Sequence, residues 1–339
     1  MHTSHTNLPI PSEPTVVDGC ESVVSLDESY RYCETLTRER ARNFYYGIRL
    51  TPKAKRRAMY ALYAWTRLAD DLADDASSAE AAREQLDLFR RHTLEVVESS
   101  LTDVISHSPP TTSSVVDSPI WPAFGEVVHE YPIDVGDLTA MIDGQFDDLT
   151  TTTRQSFDDL YKYCDRVAST VGRSCLAIWG YRKDSEALQL AEYRGVALQL
   201  TNILRDLRED YEQGRVYLPA EDFERFEITA AQFSAWEFPD RCERFMRFQG
   251  ERALSYYEKS QSLESLISPD CIATSLGLMM IYRRLLDRIM NDPRAVVGHQ
   301  RIGLSSFEKM KTALSAVQRA RKYKQRRSPV DSSPGGGLV

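Results

Sequence analysis

Residues 198–219 read LQLTNILRDLREDYEQGRVYLP, and the spacing of the polar side chains in this stretch predicts a helix with one acidic face. Gln199, Asn202, Asp206 and Asp210 follow one another at intervals of three, four and four residues. On an α-helix these side chains fall within about 80° of arc. Apolar residues flank them, so the polar stripe borders a face that is expected to be buried.

The arginines of this region lie on the other side of the predicted helix. Arg194, Arg205 and Arg208 point away from the polar stripe when the sequence is projected at about 100° per residue. If these arginines mark the outer surface, the asparagine and the aspartates face inward.

A second acidic stretch lies nearer the amino terminus, where residues 67–75 read RLADDLADD. Asp70 and Asp74 are four residues apart and therefore share a helix face. Met59 and Tyr63 fall within about 40° of that face. The two carboxylates thus continue a stripe that is otherwise apolar.

Two interpretations of these acidic stretches are open. Acidic pairs at this spacing are common on solvated helix surfaces. Both stripes, however, adjoin apolar faces, where an unpaired carboxylate is costly. Carboxylates that meet inside a protein repel one another unless cations lie between them, and Mg²⁺ often links carboxylates to substrate phosphates. We therefore predict a Mg²⁺–diphosphate site between two facing helices.

The rest of the chain also has the pattern of helices, and no segment shows sustained strand alternation. The expected helices cover residues 28–47, 53–75, 78–100, 123–131, 135–147, 156–180, 185–211, 229–265, 268–290 and 304–322. This pattern predicts an all-α protein with a single core.

Composition limits the class of protein. The chain has 339 residues, of which 42% are hydrophobic and 27% are charged. A net charge of −8 argues against binding to nucleic acid. The six cysteines form no CxxC pair, which fits a reducing cytoplasm. The longest apolar run is shorter than the roughly 20 residues that span a bilayer. We expect a cytoplasmic protein and leave open a peripheral contact with a membrane.

Segments rich in proline, serine and threonine mark the limits of the predicted domain. Residues 1–26 and 326–339 are expected to be disordered tails. Residues 102–122 are expected to form a surface insertion between two helices. The single all-α domain is then expected to span residues 27–325.

Three stretches resemble the squalene/phytoene synthase family of head-to-head prenyltransferases. They read FYYGIRLTPKAKRRAMYALYAWTRLADDLAD (44–74), YKYCDRVASTVG (161–172) and the stretch 198–219 quoted above. A weaker match extends from Tyr282 to Arg301. The resemblance implies an isoprenoid synthase-type helical bundle with a central cavity between the two acidic helices.

The resemblance also implies a reaction. Family members join two allylic diphosphates at their C1 ends through a cyclopropylcarbinyl diphosphate. The DD-x-x-D form of the first motif favours Mg²⁺-dependent coupling of two farnesyl diphosphates to presqualene diphosphate or a squalene-type product, in hopanoid or carotenoid biosynthesis. The alternative is a phytoene synthase, which couples two geranylgeranyl diphosphates. A more remote alternative is a non-catalytic assembly factor with the same fold.

Roles for individual residues follow from the resemblance. The expected metal ligands are Asp70, Asp74, Asn202, Asp206 and Asp210, with Asp71 and Glu209 orienting them. The expected diphosphate-binding residues are Asn43, Tyr63, Arg67, Gln199, Arg215, Tyr282 and Arg301. Tyr163 is expected to act in catalysis together with the four aspartates. Val167, Ala168, Val171 and Gly172 are expected to line a tunnel for the prenyl chains.

One departure from the family pattern affects these expectations. Ala41-Arg42-Asn43-Phe44 stands where many members carry Ser-x-Ser-Phe, so contacts to one diphosphate are expected to differ. The expected cofactor is Mg²⁺, with Mn²⁺ as a substitute. NADPH is not expected for the first condensation, because cyclopropane formation is redox-neutral and no G-x-G-x-x-G element follows a predicted strand. The expected partners are prenyl diphosphates, and membrane contact is left open for product release.

Overall fold

A computed structural model describes residues 24–41, 43–102, 115–182 and 185–326. Within these ranges the chain forms helices joined by turns, and the only extended pairings are the isolated bridges Thr153–Val216 and Tyr181–Ile267. The all-α prediction is confirmed. Among the helices of these ranges, none combines the length and the apolarity that crossing a membrane would require.

The helices, in chain order, are α1 (Leu26–Arg40), α2 (Phe44–Ile48), α3 (Lys53–Asp74), α4 (Ala79–Thr102), α5 (Trp121–Glu130), α6 (Val135–Thr150), α7 (Phe157–Cys164), α8 (Thr170–Trp179), α9 (Ser185–Glu212), α10 (Ala220–Arg225), α11 (Ala230–Ser234), α12 (Pro239–Lys259), α13 (Ile272–Asn291) and α14 (Ser306–Arg326). A π-helical segment, Asp165–Ser169, joins α7 to α8 without a break. Two 3₁₀ turns cover Leu263–Ser265 and Pro293–Val297.

Two helices that were predicted as continuous are divided in the structure. The one expected over residues 28–47 is split into α1, which ends at its C-cap residue Ala41, and α2, which packs against α13. The one expected over residues 229–265 is split into α11, α12 and a 3₁₀ turn. Pro239 begins α12, since proline is tolerated in the first turn of a helix but not in its interior.

The predicted tails and the insertion fall mostly outside the described residues, namely at 1–23, 103–114 and 327–339. The described residues at the edges of these segments are helical or buried. Helix α1 already begins at Leu26, and α14 continues to Arg326. At the end of the expected insertion, Val115 and Ile120 are buried and α5 starts at Trp121.

Two hydrophobic clusters meet at the centre of the bundle. The larger one is built around α3, with further residues from α4, α5, α6, α8 and α13, and the other mainly by α9, α12 and α13. Phe44, Tyr193 and Met279 contact both clusters. Gly195 allows α9 to approach the π-helical segment closely, since a Cβ at this position would lie 2.6 Å from Cα of Ser169. This contact fixes the segment on one side of a central cavity.

Candidate active site

A cavity of about 660 Å³ lies between α3, α6, the π-helical segment, α8, α9 and α13. It is lined by both acidic stripes, by several arginines and by an apolar wall. The predicted site residues that line it are Tyr63, Arg67, Asp70, Asp74, Tyr163, Val167, Ala168, Val171, Gly172, Gln199, Asn202, Asp206, Asp210, Arg215 and Arg301. The predicted central cavity between two acidic helices is therefore present.

Two predicted diphosphate contacts do not line the cavity. Tyr282 is only 2% exposed, and its ring centroid lies 5.2 Å from that of Phe44. Asn43 lies just before α2 and makes no side-chain cap to that helix. Phe44 itself faces the cavity, so both residues lie directly behind its wall. Their roles in diphosphate binding stay predictions.

Asp70 is a buried carboxylate of α3 whose pKa is raised. Gln145 Nε2 on α6 donates a hydrogen bond to its Oδ1 at 2.9 Å. Burial raises the pKa of Asp70 to about 7, opposed by the Arg67 guanidinium and reinforced by the charge of Asp74. A nearby cation would therefore stabilise the ionised form of Asp70.

Asp210 on α9 is in an equivalent situation on the facing helix. Burial raises its pKa to about 7, and the charge of Asp206 one turn earlier adds to the effect. Arg215 acts in the opposite direction. Each acidic helix therefore supplies one carboxylate whose ionisation is unfavourable without a partner.

Arginines neutralise the remaining aspartates. Arg215 follows a turn at Gly214, whose φ is +78°, and its Nη2 lies 3.1 Å from Oδ1 of Asp74. This ion pair joins the loop after α9 to the end of α3. Asp206 accepts hydrogen bonds from Arg205 Nε at 2.7 Å and from Arg301 Nε at 2.9 Å. Guanidinium groups placed beside carboxylates in this way are also positioned to bind phosphate oxygens.

The two residues expected to orient metal ligands each contact an arginine in the structure. Asp71 pairs with Arg67 and does not line the cavity. Glu209 lines it and lies 3.5 Å from Nε of Arg301. In the structure both carboxylates hold the basic side chains of the site.

The expectation that three arginines mark the outer surface of α9 is wrong for two of them. Arg205 lines the cavity and pairs with Asp206, the next residue in the chain. Arg194 is 7% exposed and donates to Glu264 Oε1 at 2.9 Å. Arg208 pairs with Glu212 at the surface, as expected. A helical projection gives the direction of Cβ, whereas a long arginine side chain places its head group several ångströms away.

The polar groups of the cavity fit Mg²⁺. Asn202 Oδ1 is buried, lines the cavity and accepts no hydrogen bond, so it is a free oxygen ligand one turn before Asp206. Within the ranges that the structure describes, no three His, Cys, Asp or Glu side chains converge on a single point. Mg²⁺ is commonly held by one or two carboxylates, with substrate phosphates and water completing its octahedron. The facing carboxylates of this cavity match that pattern.

Asp148 on α6 is a functional candidate that sequence reasoning missed. It lines the cavity and accepts hydrogen bonds from Tyr163 Oη at 2.8 Å and from Tyr217 Oη at 3.0 Å. The two rings stack, with centroids 5.0 Å apart, and the Arg154 guanidinium lies 4.6 Å from the Tyr163 ring. Burial raises the pKa of Asp148 to about 6, although both phenol hydroxyls favour the carboxylate. The signal in the sequence was the Tyr217 of R-x-Y-L-P, but nothing local linked it to Asp148.

The apolar part of the cavity is formed where the sequence predicted a tunnel. Val167 and Ala168 lie in the π-helical segment, and Val171 and Gly172 in the first turn of α8. A π-helical turn inside an α-helix displaces the side chains that follow it, and such turns are frequent at functional sites. The apolar lining also includes Met59, Leu62, Trp179, Leu198 and Leu278. An apolar wall of this kind is suited to long hydrocarbon chains.

Comparison with known proteins shows which sequences the chain is similar to. The sequence profile of the squalene/phytoene synthase family matches residues 37–308. A phytoene synthase of Mycobacterium tuberculosis is 34% identical over 298 residues, covering 87% of this chain and 92% of its own. A 15-cis-phytoene synthase of Synechococcus elongatus is 33% identical over 291 residues, covering 83% and 88%.

The fold has solved relatives as well. The crystal structure of a dehydrosqualene synthase in complex with a ligand superposes with a TM-score of 0.73. It is 26% identical, and the match covers 88% of this chain and 98% of that one. The amino-acid sequence and the helical fold therefore both match the squalene/phytoene synthase type of protein.

Proposed function

The chain belongs to the squalene/phytoene synthase family and is a prenyltransferase, and from this premise we propose that it couples two geranylgeranyl diphosphates head to head to a phytoene-type product. The choice of substrate is based on the similarity to phytoene synthases, which extends along most of this chain and of each relative. This similarity outweighs the DD-x-x-D motif, which favoured farnesyl diphosphate. The non-catalytic alternative has no support, since all four motif aspartates lie in or at one cavity.

Farnesyl diphosphate is the second candidate substrate. It is supported by the likeness to a dehydrosqualene synthase and by the DD-x-x-D form of residues 70–74. Both candidates use the same chemistry at the diphosphate end, so they differ only in the length of the hydrocarbon that the apolar wall must hold.

We assign the Mg²⁺ ions to the two acidic helices. Asp70 and Asp74 would hold metal on the α3 side, and Asn202, Asp206 and Asp210 on the α9 side. Metal bound by these residues would supply the positive charge that neutralises the diphosphate leaving group. The perturbed carboxyls of Asp70 and Asp210 and the free oxygen of Asn202 support this assignment.

The other residues bind and shield the substrate. Arg67, Arg215 and Arg301 bind diphosphate oxygens, and their present carboxylate partners keep them extended toward the cavity. Tyr163 presents its ring to the cavity, where the π face stabilises an allylic cation. The wall around Val167 and Val171 excludes water, which would otherwise capture the cation.

The substrate assignment predicts a clear order of turnover. With Mg²⁺ and no NADPH, geranylgeranyl diphosphate is expected to give a coupled C40 hydrocarbon faster than farnesyl diphosphate gives any coupled product. NADPH is not expected to be needed, because cyclopropane formation is redox-neutral and the cation formed in the second ionisation gives a phytoene-type product by losing a proton, without taking up a hydride. Product identification by mass spectrometry after incubation with each diphosphate, with and without NADPH, is the test. Faster coupling of farnesyl diphosphate would establish the second candidate, and coupling that requires NADPH would contradict the redox argument.

Asp148→Asn is expected to lower kcat by about 10- to 100-fold, the usual effect of losing a partner that orients a functional group. The change removes the charge that holds the hydroxyls of Tyr163 and Tyr217. KM is expected to change little, because Asp148 is assigned no contact with the diphosphate. Asp147→Asn is the matched control, since Asp147 pairs with Arg166 and does not line the cavity. If the two variants have the same kcat and KM, Asp148 has no role in the reaction.

A further inference from the structure

Helix α14 exposes three large apolar side chains and buries several small ones. Phe307, Met310 and Leu314 are 67%, 49% and 60% exposed. The other exposed large hydrophobic residues in the described ranges are scattered and reach only 37–42%. A cluster of this kind on the surface of a soluble domain marks an interaction site.

The inner face of the same helix explains why the apolar residues face outward. Thr312, Ala313, Ala316 and Ala320 are buried against the bundle, where α14 packs on α13 and α2. Small side chains let the helix lie close to Gly277 of α13. The core is therefore complete without the large residues, which remain available to a partner.

Charge indicates what kind of partner the face fits. Helix α14 reads SFEKMKTALSAVQRARKYKQR and carries seven Lys or Arg residues and one Glu, a net charge of +6 on a chain whose total is −8. Lys311, Arg321 and Lys322 are exposed. On an α-helix they fall, with the three apolar residues, within about 120° of arc. Apolar anchors and basic residues on one face are typical of helices that bind anionic lipid surfaces.

Helix α14 lies close to the cavity. Arg301, which holds Asp206 in the cavity, lies five residues before the helix begins. Helix α2 and helix α13, on which α14 packs, contribute Phe44, Ile48 and Leu278 to the cavity wall. One side of this wall faces the substrate and the other carries α14.

We propose that the outer face of α14, formed by Phe307, Met310, Leu314, Lys311, Arg321 and Lys322, docks the enzyme on an anionic phospholipid surface. A protein docked in this way has its cavity next to the lipid bilayer, into which a long hydrocarbon product partitions. This benefit rests on the proposed function. The docking itself rests only on exposure and charge.

Vesicle flotation without substrate tests the docking. The full chain is expected to float with vesicles of equal phosphatidylcholine and phosphatidylglycerol, less with phosphatidylcholine alone, and less again at high salt. Each basic residue near an anionic surface changes partitioning by about fivefold, so Lys311→Gln, Arg321→Gln and Lys322→Gln together are expected to weaken binding roughly a hundredfold. Phe307→Ser, Met310→Ser and Leu314→Ser together are expected to abolish it.

Matched surface changes elsewhere provide the control. Leu188→Ser with Phe238→Ser removes exposed apolar residues, and Lys53→Gln, Arg91→Gln and Arg244→Gln remove exposed charges. Both controls are expected to float like the unchanged protein, and all variants are expected to keep turnover on detergent-dispersed substrate. Failure of the unchanged protein to float, or equal flotation of the α14 variants, overturns the proposal. A stable dimer that the serine variant converts to monomer would instead assign the face to a second copy of the chain. Because no substrate is needed, none of these outcomes bears on the proposed reaction.

Discussion

Asp70→Asn is expected to reduce turnover by on the order of a thousandfold or more while making the metal-free protein more stable. Asp206→Asn is expected to cause a similar loss of turnover without a gain in stability. The two effects separate because the two carboxylates differ in their surroundings. Asp70 is buried beside one amide donor and several negative charges, and the Arg67 guanidinium offsets this only in part, whereas Asp206 is paired directly with Arg205 and Arg301.

The stability effect of Asp70 depends on pH in a defined direction. Burial raises the pKa of Asp70 to about 7 in the folded protein, well above its ordinary value of 3.8. The stability that the carboxyl contributes is therefore fully present below about pH 4 and is lost as the pH rises through about 7. Asparagine does not titrate, so the advantage of Asp70→Asn is expected to grow between pH 4 and pH 8 and to reach a few degrees in Tm.

Asp206→Asn has the opposite structural consequence. The change leaves Arg205, whose side chain is 14% exposed, without its anionic partner. Losing one member of a buried ion pair is destabilising, because the remaining charge is poorly solvated. The Tm of this variant is expected to be equal to or below that of the unchanged protein at every pH.

Asp75→Asn is the matched control for both changes. Asp75 ends the same acidic stretch but is exposed and does not line the cavity. Its turnover and Tm are expected to be unchanged. Turnover of Asp70→Asn close to that of the unchanged protein at saturating Mg²⁺ would contradict the metal assignment. Circular dichroism on each variant confirms that lost turnover is not lost helix.

The parts of the site that the sequence predicted are those set by spacing along a single helix. Asp70 and Asp74, and the series Gln199, Asn202 and Asp206, share a face because the helix repeat places them there. An apolar flank then indicates that this face points inward. The same reasoning placed the helices that carry the site, and it was correct for α3 and α9.

The parts that it did not predict depend on contacts between distant segments. Asp148 becomes functional only where Tyr163 and Tyr217 arrive from two other elements. Arg194 is buried because Glu264 of a later 3₁₀ turn meets it. The break between α1 and α2 likewise reflects packing on α13 rather than a local stop signal. No pattern within one helix contains this information.

Removal of divalent metal is expected to abolish turnover completely, and Mg²⁺ or Mn²⁺ is expected to restore it. The cavity offers carboxylate and amide oxygens, and no histidine lines it among the described residues. Cys175 does line it, but burial raises the pKa of its thiol to about 12, so it is a poor zinc ligand. Zn²⁺ is therefore not expected to replace Mg²⁺.

The structure also predicts how the metal and the diphosphate depend on each other. Since no three acidic side chains of the described ranges converge on one point, each ion needs diphosphate oxygens to complete its coordination. In thermal unfolding, Mg²⁺ alone and inorganic pyrophosphate alone are each expected to raise Tm only slightly. Together they are expected to raise it by more than the sum of the two, because each ligand completes the site of the other. Asp210→Asn is expected to remove this synergy, while Asp75→Asn keeps it. Full turnover after treatment with EDTA, or strictly additive shifts in Tm, would show that the two acidic helices do not share metal-bound diphosphate.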